Sequence, residues 1–470
     1  MAKLVINGGK KLSGTITITP NKNAMLPVLC ATLLTEEECI LHHVPKSPDV
    51  LKILEAIQQI GGTYQWTDDT LMVCCKNITS QAISQCVADI QSAILFVGPL
   101  LARFGYANVP VAIGCKLGYR GPEDHIYYLE QLGVNCAFKS PKETGDVPRI
   151  QFGVDQSKLK SNDLVQFSSE TTRKTFIFSE ASVTPTENLL MLLSIVTKFD
   201  VEVQGIAHEP HVECLVKILR MMGVTIEGKG SVLTVKGCFG KIKGFEYDFQ
   251  EEPDHVDFYG TAVTAVLTRS DVFLNCLPTI AIRSMVEFLV KTGIHCEVRS
   301  DGVMIRGIES VYAPIDGFSK ANDIAWKMNP RPWPGFPVDC LPSFIALASA
   351  SAYTAISTVV NNWMYEDGLG YVEQMNQLGA SIVLFPTEFG TQKISITGSA
   401  DNEEEYFVRE HGNEVTIPGV PVIEGTRALF SVALGRTGKT IIADIGPLLR
   451  RSPDFVQKFI DSGADIELVD

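Results

Sequence analysis

A glycine-framed stretch at residues 114–125, "GCKLGYRGPEDH", combines residue types that could do chemistry. Cys115 is followed directly by Lys116, and Arg120 comes five residues after the cysteine. Nearby cations lower the pKa of a thiol and favour the reactive thiolate. These residue types would suit a loop that brings a reactive cysteine and cations to a ligand, but a lone cysteine is usually inert packing, so this interpretation needs support from the rest of the chain. The alternative interpretation is a surface turn that contains an incidental cysteine.

Several apolar segments begin with short polar stretches, among them "NKNA" at 21–24, "FPVDC" at 336–340 and "EGTRA" at 424–428. The segments that follow are apolar nearly all round, which is typical of buried helices. The N-terminal end of a helix attracts anions through its unpaired N–H groups and its dipole. We expect these helix starts to face a cleft between two domains. The alternative is that the polar residues are simple N-caps.

Lys22 and Arg427 lie in two of these helix starts and would add full positive charges to an anion site. A cation at a helix N-terminus is unfavourable because it opposes the helix dipole. We therefore expect an anionic group to compensate Lys22.

Two patterns alternate along the chain, and together they predict its architecture. One is an apolar helical segment that runs into a β-rich stretch. The other is an amphipathic helical segment that ends in glycine and precedes a short strand. Each glycine occupies a position where a helix C-cap requires a left-handed residue. These glycines are Gly61, Gly133, Gly223, Gly293, Gly379 and Gly463.

The alternation predicts six units of strand–helix–strand–helix–strand(s), three before and three after about residue 240. We therefore expect an α/β fold with two similar domains. The first domain would contain residues 21–240, and the second would contain residues 1–20 and 241–470.

Composition excludes several classes of function. The chain has 470 residues and a formal net charge of −14, which argues against a nucleic-acid surface. No apolar run approaches membrane-spanning length and the N-terminus lacks a signal-peptide pattern, so we expect a cytoplasmic protein without membrane contact. The twelve cysteines form no zinc-like pair, and "HEPH" at 208–211 lacks a completing ligand set, so no metal is expected. The sequence specifies no oligomeric state.

Motifs distributed along the whole chain resemble the enolpyruvyl transferase family, in particular its members that act on UDP-N-acetylglucosamine. The motifs are "NKNAMLPVLCATLL", "VPKSPDV", "GPLLARFG", "GCKLGYRGPEDH", "SVTPTENLLM", "FPVD" and "GADIE". The resemblance implies two domains of threefold βαβαββ repeats, an inverse α/β barrel that closes over its substrates. It implies transfer of enolpyruvate from phosphoenolpyruvate to UDP-N-acetylglucosamine in peptidoglycan synthesis, with release of phosphate and without a cofactor.

The resemblance also implies roles for individual residues. Cys115 would be the loop cysteine that protonates or captures the enol and is alkylated by fosfomycin, and Asp339 would be the base beside the acceptor hydroxyl. The residues implied for phosphoenolpyruvate are Lys22, Arg120, Arg427 and Arg450, with Lys22 also taking part in catalysis. The residues implied for the nucleotide acceptor are Asn23, Arg120, Glu123, Asp124, His125, Ser182 and Val183.

Three positions depart from the family pattern, because Gln91, Glu180 and Asn362 stand where the family has cations. Gly121 is also inserted into what is normally an Arg-Pro turn, and Arg331 is a candidate replacement cation. A nucleotide with fewer phosphates would need fewer cations, so the alternative acceptor is UMP or a related nucleotide in nucleoside antibiotic biosynthesis. An alternative of another class is a ligand-binding paralogue without turnover, and phosphate release would distinguish the two.

Overall fold

A computed structural model of the chain describes residues 3–111, 121–145, 147–154, 174–196, 200–238, 242–308, 327–350, 358–364, 368–385, 392–397 and 414–469. The described residues form two compact units. The N-terminal unit lies within residues 20–252. The C-terminal unit contains residues 3–19 together with those from 253 onward. The chain therefore changes units after Thr19 and after Glu252.

The strands are short, and most contain three to six residues. In chain order they are β1 (Lys3–Gly8), β2 (Thr15–Thr17), β3 (Glu38–His42), β4 (Thr63–Thr67), β5 (Thr70–Cys74), β6 (Tyr106–Pro110), β7 (Asn135–Lys139), β8 (Arg149–Gly153), β9 (Lys174–Ile177), β10 (Val201–Gln204), β11 (Thr225–Lys229), β12 (Val232–Lys236), β13 (Glu246–Asp248), β14 (Asp271–Asn275), β15 (His295–Val298), β16 (Gly302–Arg306), β17 (Lys327–Met328), β18 (Thr358–Asn362), β19 (Ser381–Phe385), β20 (Gln392–Thr397), β21 (Glu414–Ile417), β22 (Gly438–Ile442) and β23 (Asp465–Val469).

The helices alternate with these strands. In chain order they are α1 (Lys22–Ala31), α2 (Pro48–Gln59), α3 (Val97–Phe104), α4 (Glu123–Glu130), α5 (Pro141–Thr144), α6 (Val183–Val196), α7 (Pro210–Met221), α8 (His255–Leu267), α9 (Ile280–Lys291), α10 (Leu341–Ser349), α11 (Val372–Gln377), α12 (Ile423–Gly435), α13 (Gly446–Arg451) and α14 (Phe455–Asp461). No described helix is both long enough and apolar enough to cross a membrane.

The strands of each unit form three sheets among the described residues; five of the six sheets are mixed, and the sheet of β6, β7 and β8 is antiparallel. The N-terminal unit has the strand orders β13-β3-β5-β4, β6-β8-β7 and β11-β12-β10-β9. The C-terminal unit has the strand orders β21-β22-β1-β23, β15-β16-β14-β2 and β17-β18-β20-β19. In five sheets the strand that follows an apolar helix pairs in parallel with one neighbour, as β14 does with β2. An antiparallel hairpin after an amphipathic helix completes the pattern, as β15 and β16 do after α9.

The N-terminal strand β1 completes the last sheet of the C-terminal unit. It pairs antiparallel with both β22 and β23, so that Leu4 lies opposite Ile442 on one side and Leu468 on the other. The first residues of the chain are therefore part of the unit formed by its second half.

The apolar helices form the core of each unit, as their sequences predict. Every residue of α8 is buried, and α8, α10 and α12 contact one another pairwise. The amphipathic helices α2, α7 and α9 bury one face each. The six helix-ending glycines all have positive φ, between 78° at Gly133 and 107° at Gly61, which confirms the predicted left-handed C-caps. The cysteines of the described ranges are free thiols.

Candidate active site

Lys22 is the first residue of α1. Asp49 is the anionic group that lies beside it. The Nζ of Lys22 lies 2.7 Å from Asp49 Oδ2, and both side chains are buried in the N-terminal unit. Asp49 lies in the first turn of α2, where its charge is also favourable to the helix dipole. Asn21 caps α1 and accepts hydrogen bonds from the backbone of Asn23 and Ala24. Lys22 is therefore held at a fixed position at the start of a buried helix.

Replacement of Asp49 by Asn is expected to lower the free energy of unfolding by about 1–3 kcal/mol, because the buried ammonium of Lys22 loses its ionic partner. Urea unfolding at neutral pH measures the change. The double variant Lys22→Met/Asp49→Leu is the matched control, since replacing both charges by apolar groups removes the penalty of an unpaired ion. A single variant no less stable than the wild type would show that the ion pair does not stabilise α1.

The residues predicted to contact the nucleotide begin two helices of the N-terminal unit. Glu123 and Asp124 form the first turn of α4, where Glu123 is exposed and Asp124 is partly buried. Ser182 and Val183 are partly buried at the start of α6, and the carbonyl of Ser182 accepts a hydrogen bond from Thr186 Oγ1 at 2.7 Å. These side chains reach the surface of the unit, so they are accessible to a ligand.

His125, by contrast, is buried in α4 and uses both ring nitrogens inside the unit. Its Nδ1 accepts a hydrogen bond from Asn188 Nδ2 at 3.1 Å, which places the ring proton on Nε2, 3.1 Å from Thr184 Oγ1. Asn188 also accepts from the amide of Gly98 and donates to the carbonyl of Ile94. His125 thus connects α4 to α6. Its contact with a nucleotide stays a prediction.

Burial lowers the pKa of His125 to about 3, well below its usual value. Between pH 6.5 and 3 the unfolded chain therefore binds a proton that the folded chain excludes, and stability falls as pH falls through this window. The expected slope is at most about 1.4 kcal/mol per pH unit. Urea unfolding at several pH values should show a shallower pH dependence in His125→Gln than in the wild type. The exposed-residue variant His295→Gln serves as control, and equal slopes for all three proteins would contradict the prediction.

In the C-terminal unit, the N-terminal ends of three buried helices lie close together around Asp339. Asp339 is partly buried in a single 3₁₀ turn, Val338–Cys340, that leads into α10. It interacts electrostatically with His255 at the start of α8 and with Glu424 at the start of α12. The predicted position of these helix starts at a cleft between two domains stays a prediction. The carboxylate of Asp339 is partly exposed.

Arg451, at the end of α13, links two of these helix starts. Its Nη2 donates to Asp254 Oδ2 at 2.6 Å, and its Nη1 donates to Glu424 Oε1. Asp254 caps α8 by accepting from the backbone of Val256 and Asp257. Burial opposes the charge of Arg451, but the two carboxylates outweigh it and raise the pKa of the guanidinium. Arg451 is therefore a permanent cation beside Asp339.

Arg427, which was predicted to hold phosphoenolpyruvate, is 1 % exposed and lies in the core of the C-terminal unit. Its Nη2 is 2.8 Å from Asp257 Oδ1 and donates to Thr261 Oγ1 at 2.8 Å. Gly260 makes room for the guanidinium, because a Cβ atom there would lie 2.3 Å from Arg427 Nε. In this arrangement Arg427 faces α8, and its contact with phosphoenolpyruvate stays a prediction.

The remaining predicted positions lie in different surroundings. Arg450 is partly buried at the end of α13. Asn23 is partly buried in the first turn of α1. Cys115 and Arg120 lie outside the described residues. Three positions depart from the family pattern of cations. Of these, Glu180 is exposed, Gln91 is partly buried in a 3₁₀ segment and Asn362 is buried in β18.

Sequence reasoning missed five charged residues of the C-terminal unit that surround the predicted ones. They are Asp254, Asp257, Glu424, Arg451 and Lys458. A signal was present at "PDHVD" (253–257), where two aspartates precede a long apolar segment in the positions of an N-cap and a first helical turn. Their cationic partners carry no comparable pattern, because they lie some 200 residues away in the sequence.

Proteins of one name are similar to the chain over most of its length. A UDP-N-acetylglucosamine 1-carboxyvinyltransferase of Borreliella burgdorferi is 28% identical to the chain, covering 100% of it and 99% of the relative. A protein of the same name from Lawsonia intracellularis is 29% identical and covers 82% of the chain and 83% of the relative.

Solved structures share the fold at 15% identity. The enolpyruvyl transferase NikO from Streptomyces tendae has a TM-score of 0.79 and covers 100% of this chain and 99% of its own. The EPSP synthase from Acinetobacter baumannii has a TM-score of 0.66 and covers both chains completely. The family model for EPSP synthase (3-phosphoshikimate 1-carboxyvinyltransferase) matches residues 6–389. Because this match extends over most of the sequence and both units, the chain belongs to the EPSP synthase family.

Proposed function

We propose that the protein transfers enolpyruvate from phosphoenolpyruvate to a hydroxyl of UDP-N-acetylglucosamine and releases phosphate, as in peptidoglycan synthesis. The observation that carries the proposal is the position of Asp339. A partly exposed carboxylate lies where three helix N-termini meet, next to the buried cation Arg451. Full-length relatives named UDP-N-acetylglucosamine 1-carboxyvinyltransferase support the choice of acceptor.

We propose for the fold two domains of three βαβαββ repeats each, the inverse α/β barrel, with predicted limits at 21–240 and at 1–20 plus 241–470. Residues 242–252 lie in the N-terminal unit instead, where β13 pairs with β3. The three sheets per unit and the return of β1 to the last sheet support this description among the described residues.

The proposed reaction is an addition followed by an elimination. The acceptor oxygen attacks C2 of phosphoenolpyruvate while Asp339 takes the hydroxyl proton, and the thiol of Cys115 gives a proton to C3. In the second step C3 returns a proton to the Cys115 thiolate and the C2–O bond to phosphate breaks, which restores the double bond and releases inorganic phosphate. Asp339 and Cys115 thus carry out the proton transfers, and the proton on Asp339 leaves to solvent. Helix N-termini and fixed cations offset the negative charge of the substrate.

The cations that hold phosphoenolpyruvate in this proposal are Lys22, Arg120, Arg427 and Arg450. Lys22 has a fixed position because Asp49 holds its ammonium at 2.7 Å. Arg427 is buried against Asp257, so direct contact with phosphoenolpyruvate would need its guanidinium to turn away from Asp257. Asn23, Glu123, Asp124, His125, Ser182 and Val183 would contact the nucleotide. The partly or fully exposed starts of α4 and α6 support this for Glu123, Asp124, Ser182 and Val183.

UMP is the second candidate acceptor, and the charge of the exposed residue Glu180 favours it. A carboxylate at this position repels a diphosphate more strongly than a monophosphate, because the Coulomb energy grows with the ligand charge. Gln91 and Asn362 likewise supply no positive charge. Enolpyruvylation of a uridine monophosphate would place the protein in nucleoside antibiotic biosynthesis.

Incubation with phosphoenolpyruvate and each acceptor separately tests both proposals. Phosphate release measures turnover, and mass spectrometry of the nucleotide product identifies the acceptor that gained enolpyruvate. We expect product with UDP-N-acetylglucosamine. Product with UMP alone would identify UMP as the acceptor and would leave the proposed reaction unchanged. Binding of either nucleotide without phosphate release would instead favour a ligand-binding paralogue.

A further inference from the structure

Arg331 lies at the same sheet edge as Asn362, the residue that stands in β18 where a cation was expected. Strands β17 and β18 pair in parallel, with Met328 opposite Val360. Continued by two residues, this register sets Pro330 beside Asn362, which is the last residue of β18. Because parallel strands end at the same edge of a sheet, Arg331 follows directly at the edge that lacks the expected cation.

A side-chain hydrogen bond fixes the chain beyond β17 against the end of β18. The indole Nε1 of Trp363 donates to the carbonyl of Pro330 at 2.7 Å. Asn362, the neighbour of this tryptophan, is only 1 % exposed, so its amide does not reach the surface. Arg331, the neighbour of Pro330, is exposed. Arg331 therefore offers a positive charge to a ligand at an edge where Asn362 offers none.

The turn that carries Arg331 is closed and leads to Asp339. The amide of Arg331 donates to the carbonyl of Phe336 at 3.0 Å, and the amide of Gly335 donates to the carbonyl of Pro332 at 2.9 Å. A Cβ atom at Gly335 would lie 2.5 Å from Arg331 Cβ, so glycine permits this close approach. Asp339 follows Phe336 by three residues, which span at most about 11 Å. One short segment therefore carries both the guanidinium and the proposed base.

We propose that Arg331 binds the carboxylate of phosphoenolpyruvate. The inference rests on the proposed function and adds a binding residue to it. In that reaction the acceptor oxygen attacks C2, the carbon that bears the carboxylate, beside Asp339. A guanidinium held on the same segment can bind this carboxylate through two parallel N–H donors, which match its two oxygens. The phosphate is left to the other cations of the proposed reaction.

The variant Arg331→Gln tests this assignment through the binding of phosphoenolpyruvate, measured by equilibrium dialysis of the full-length protein. Loss of the charged hydrogen bonds should raise the Kd about 10- to 100-fold. Arg331→Lys keeps the charge without the planar pair of donors, so its Kd should lie between those of the wild type and Arg331→Gln. Arg283→Gln, which removes an exposed arginine of α9 in the same unit, is the matched control and should keep the wild-type Kd.

Vinyl phosphate, the same enol phosphate without the carboxylate, identifies the group that Arg331 contacts. It should bind to the wild type and to Arg331→Gln with equal affinity. An equal loss of affinity for both ligands would show that Arg331 contacts the phosphate and would overturn the proposal. So would a wild-type Kd for phosphoenolpyruvate in Arg331→Gln. Thermal unfolding of each variant verifies that the substitutions leave the fold intact.

Phosphate release with each acceptor separates this proposal from the function on which it rests. In an active enzyme, Arg331→Gln should raise KM for phosphoenolpyruvate and leave KM for the acceptor within about twofold of the wild type, because only one substrate loses a contact. Normal turnover with an unchanged KM for phosphoenolpyruvate would overturn the role of Arg331 alone. Binding that depends on Arg331 without phosphate release would support that role and overturn the proposed transfer. A wild type that binds no phosphoenolpyruvate would overturn both.

Discussion

Replacement of Asp339 by Asn is expected to lower kcat for enolpyruvyl transfer by about 10²- to 10⁴-fold, the usual contribution of a general base. Asparagine keeps the size of the side chain but cannot accept the hydroxyl proton. The carboxylate is partly exposed, so the substitution leaves no buried group without a partner and the fold should persist. Phosphate release under saturating substrates measures kcat, and equilibrium dialysis measures binding of the nucleotide.

The matched control for this prediction is Asp301→Asn, which removes a carboxylate from an exposed turn of the same unit. It should retain the kcat of the wild type. The loss in Asp339→Asn should appear in kcat with little change in nucleotide binding, because the base acts on the proton rather than on the ligand as a whole. Turnover by Asp339→Asn within a factor of about three of the wild type would rule out the assigned base.

Replacement of Asp257 by Asn is expected to lower the free energy of unfolding by about 3–5 kcal/mol, the cost of breaking a buried ion pair on one side. Asp257 lies in the first turn of α8 and compensates two buried cations. Lys458 Nζ is 2.9 Å from its Oδ2, and Arg427 Nη2 is 2.8 Å from its Oδ1. Thr19 also donates to Asp257, from both its amide and its hydroxyl. Without the carboxylate, two positive charges would remain in the core.

The same carboxylate predicts a loss of stability in acid. Burial by itself would raise the pKa of Asp257, but the charges of Lys458 and Arg427 outweigh burial and hold the pKa well below its ordinary value. A depressed carboxyl pKa contributes stability above the unfolded value of about 3.9, and this contribution is lost as pH falls below that value. Guanidinium unfolding at pH 7 and at pH 3 should therefore show a smaller difference between wild type and Asp257→Asn at the lower pH.

Asp301→Asn is again the reference, since an exposed carboxylate should change stability by no more than about 0.5 kcal/mol. If Asp257→Asn were as stable as this reference, the buried charges would not depend on Asp257. Urea unfolding followed by two probes, one fluorescent and one by circular dichroism, establishes whether the transition has two states before the free energies are compared.

The pattern of helices and glycines was predictable because local chemistry specifies it. Gly61 and Gly223 follow amphipathic segments, and a left-handed C-cap favours glycine whatever packs against the helix. The burial of α8 and α12 likewise follows from segments with no polar face. The need for an anion beside Lys22 could be predicted from the helix dipole, although the identity of Asp49 could not.

The site could be predicted only in part, because partners that are distant in sequence meet through helix packing. Arg427 was predicted to add a positive charge to an anion site because it lies at a helix start. Its partner Asp257 could not be predicted, since the packing of α12 against α8 brings the two residues together across 170 residues of sequence. His125 was predicted to contact the nucleotide, and its burial on Asn188 could not be predicted, because it depends on the packing of α4 against α6.

The amino-acid sequence by itself determined the alternation of buried and amphipathic helices, the family, and the residue types available for chemistry. Each of these depends on a residue and its near neighbours, or on motifs whose order can be read directly. Tertiary structure alone decided which charges are compensated and which remain available to a ligand. The physical reason is that a buried charge is stable only with a partner, and the partner is chosen by which helix ends the fold brings together.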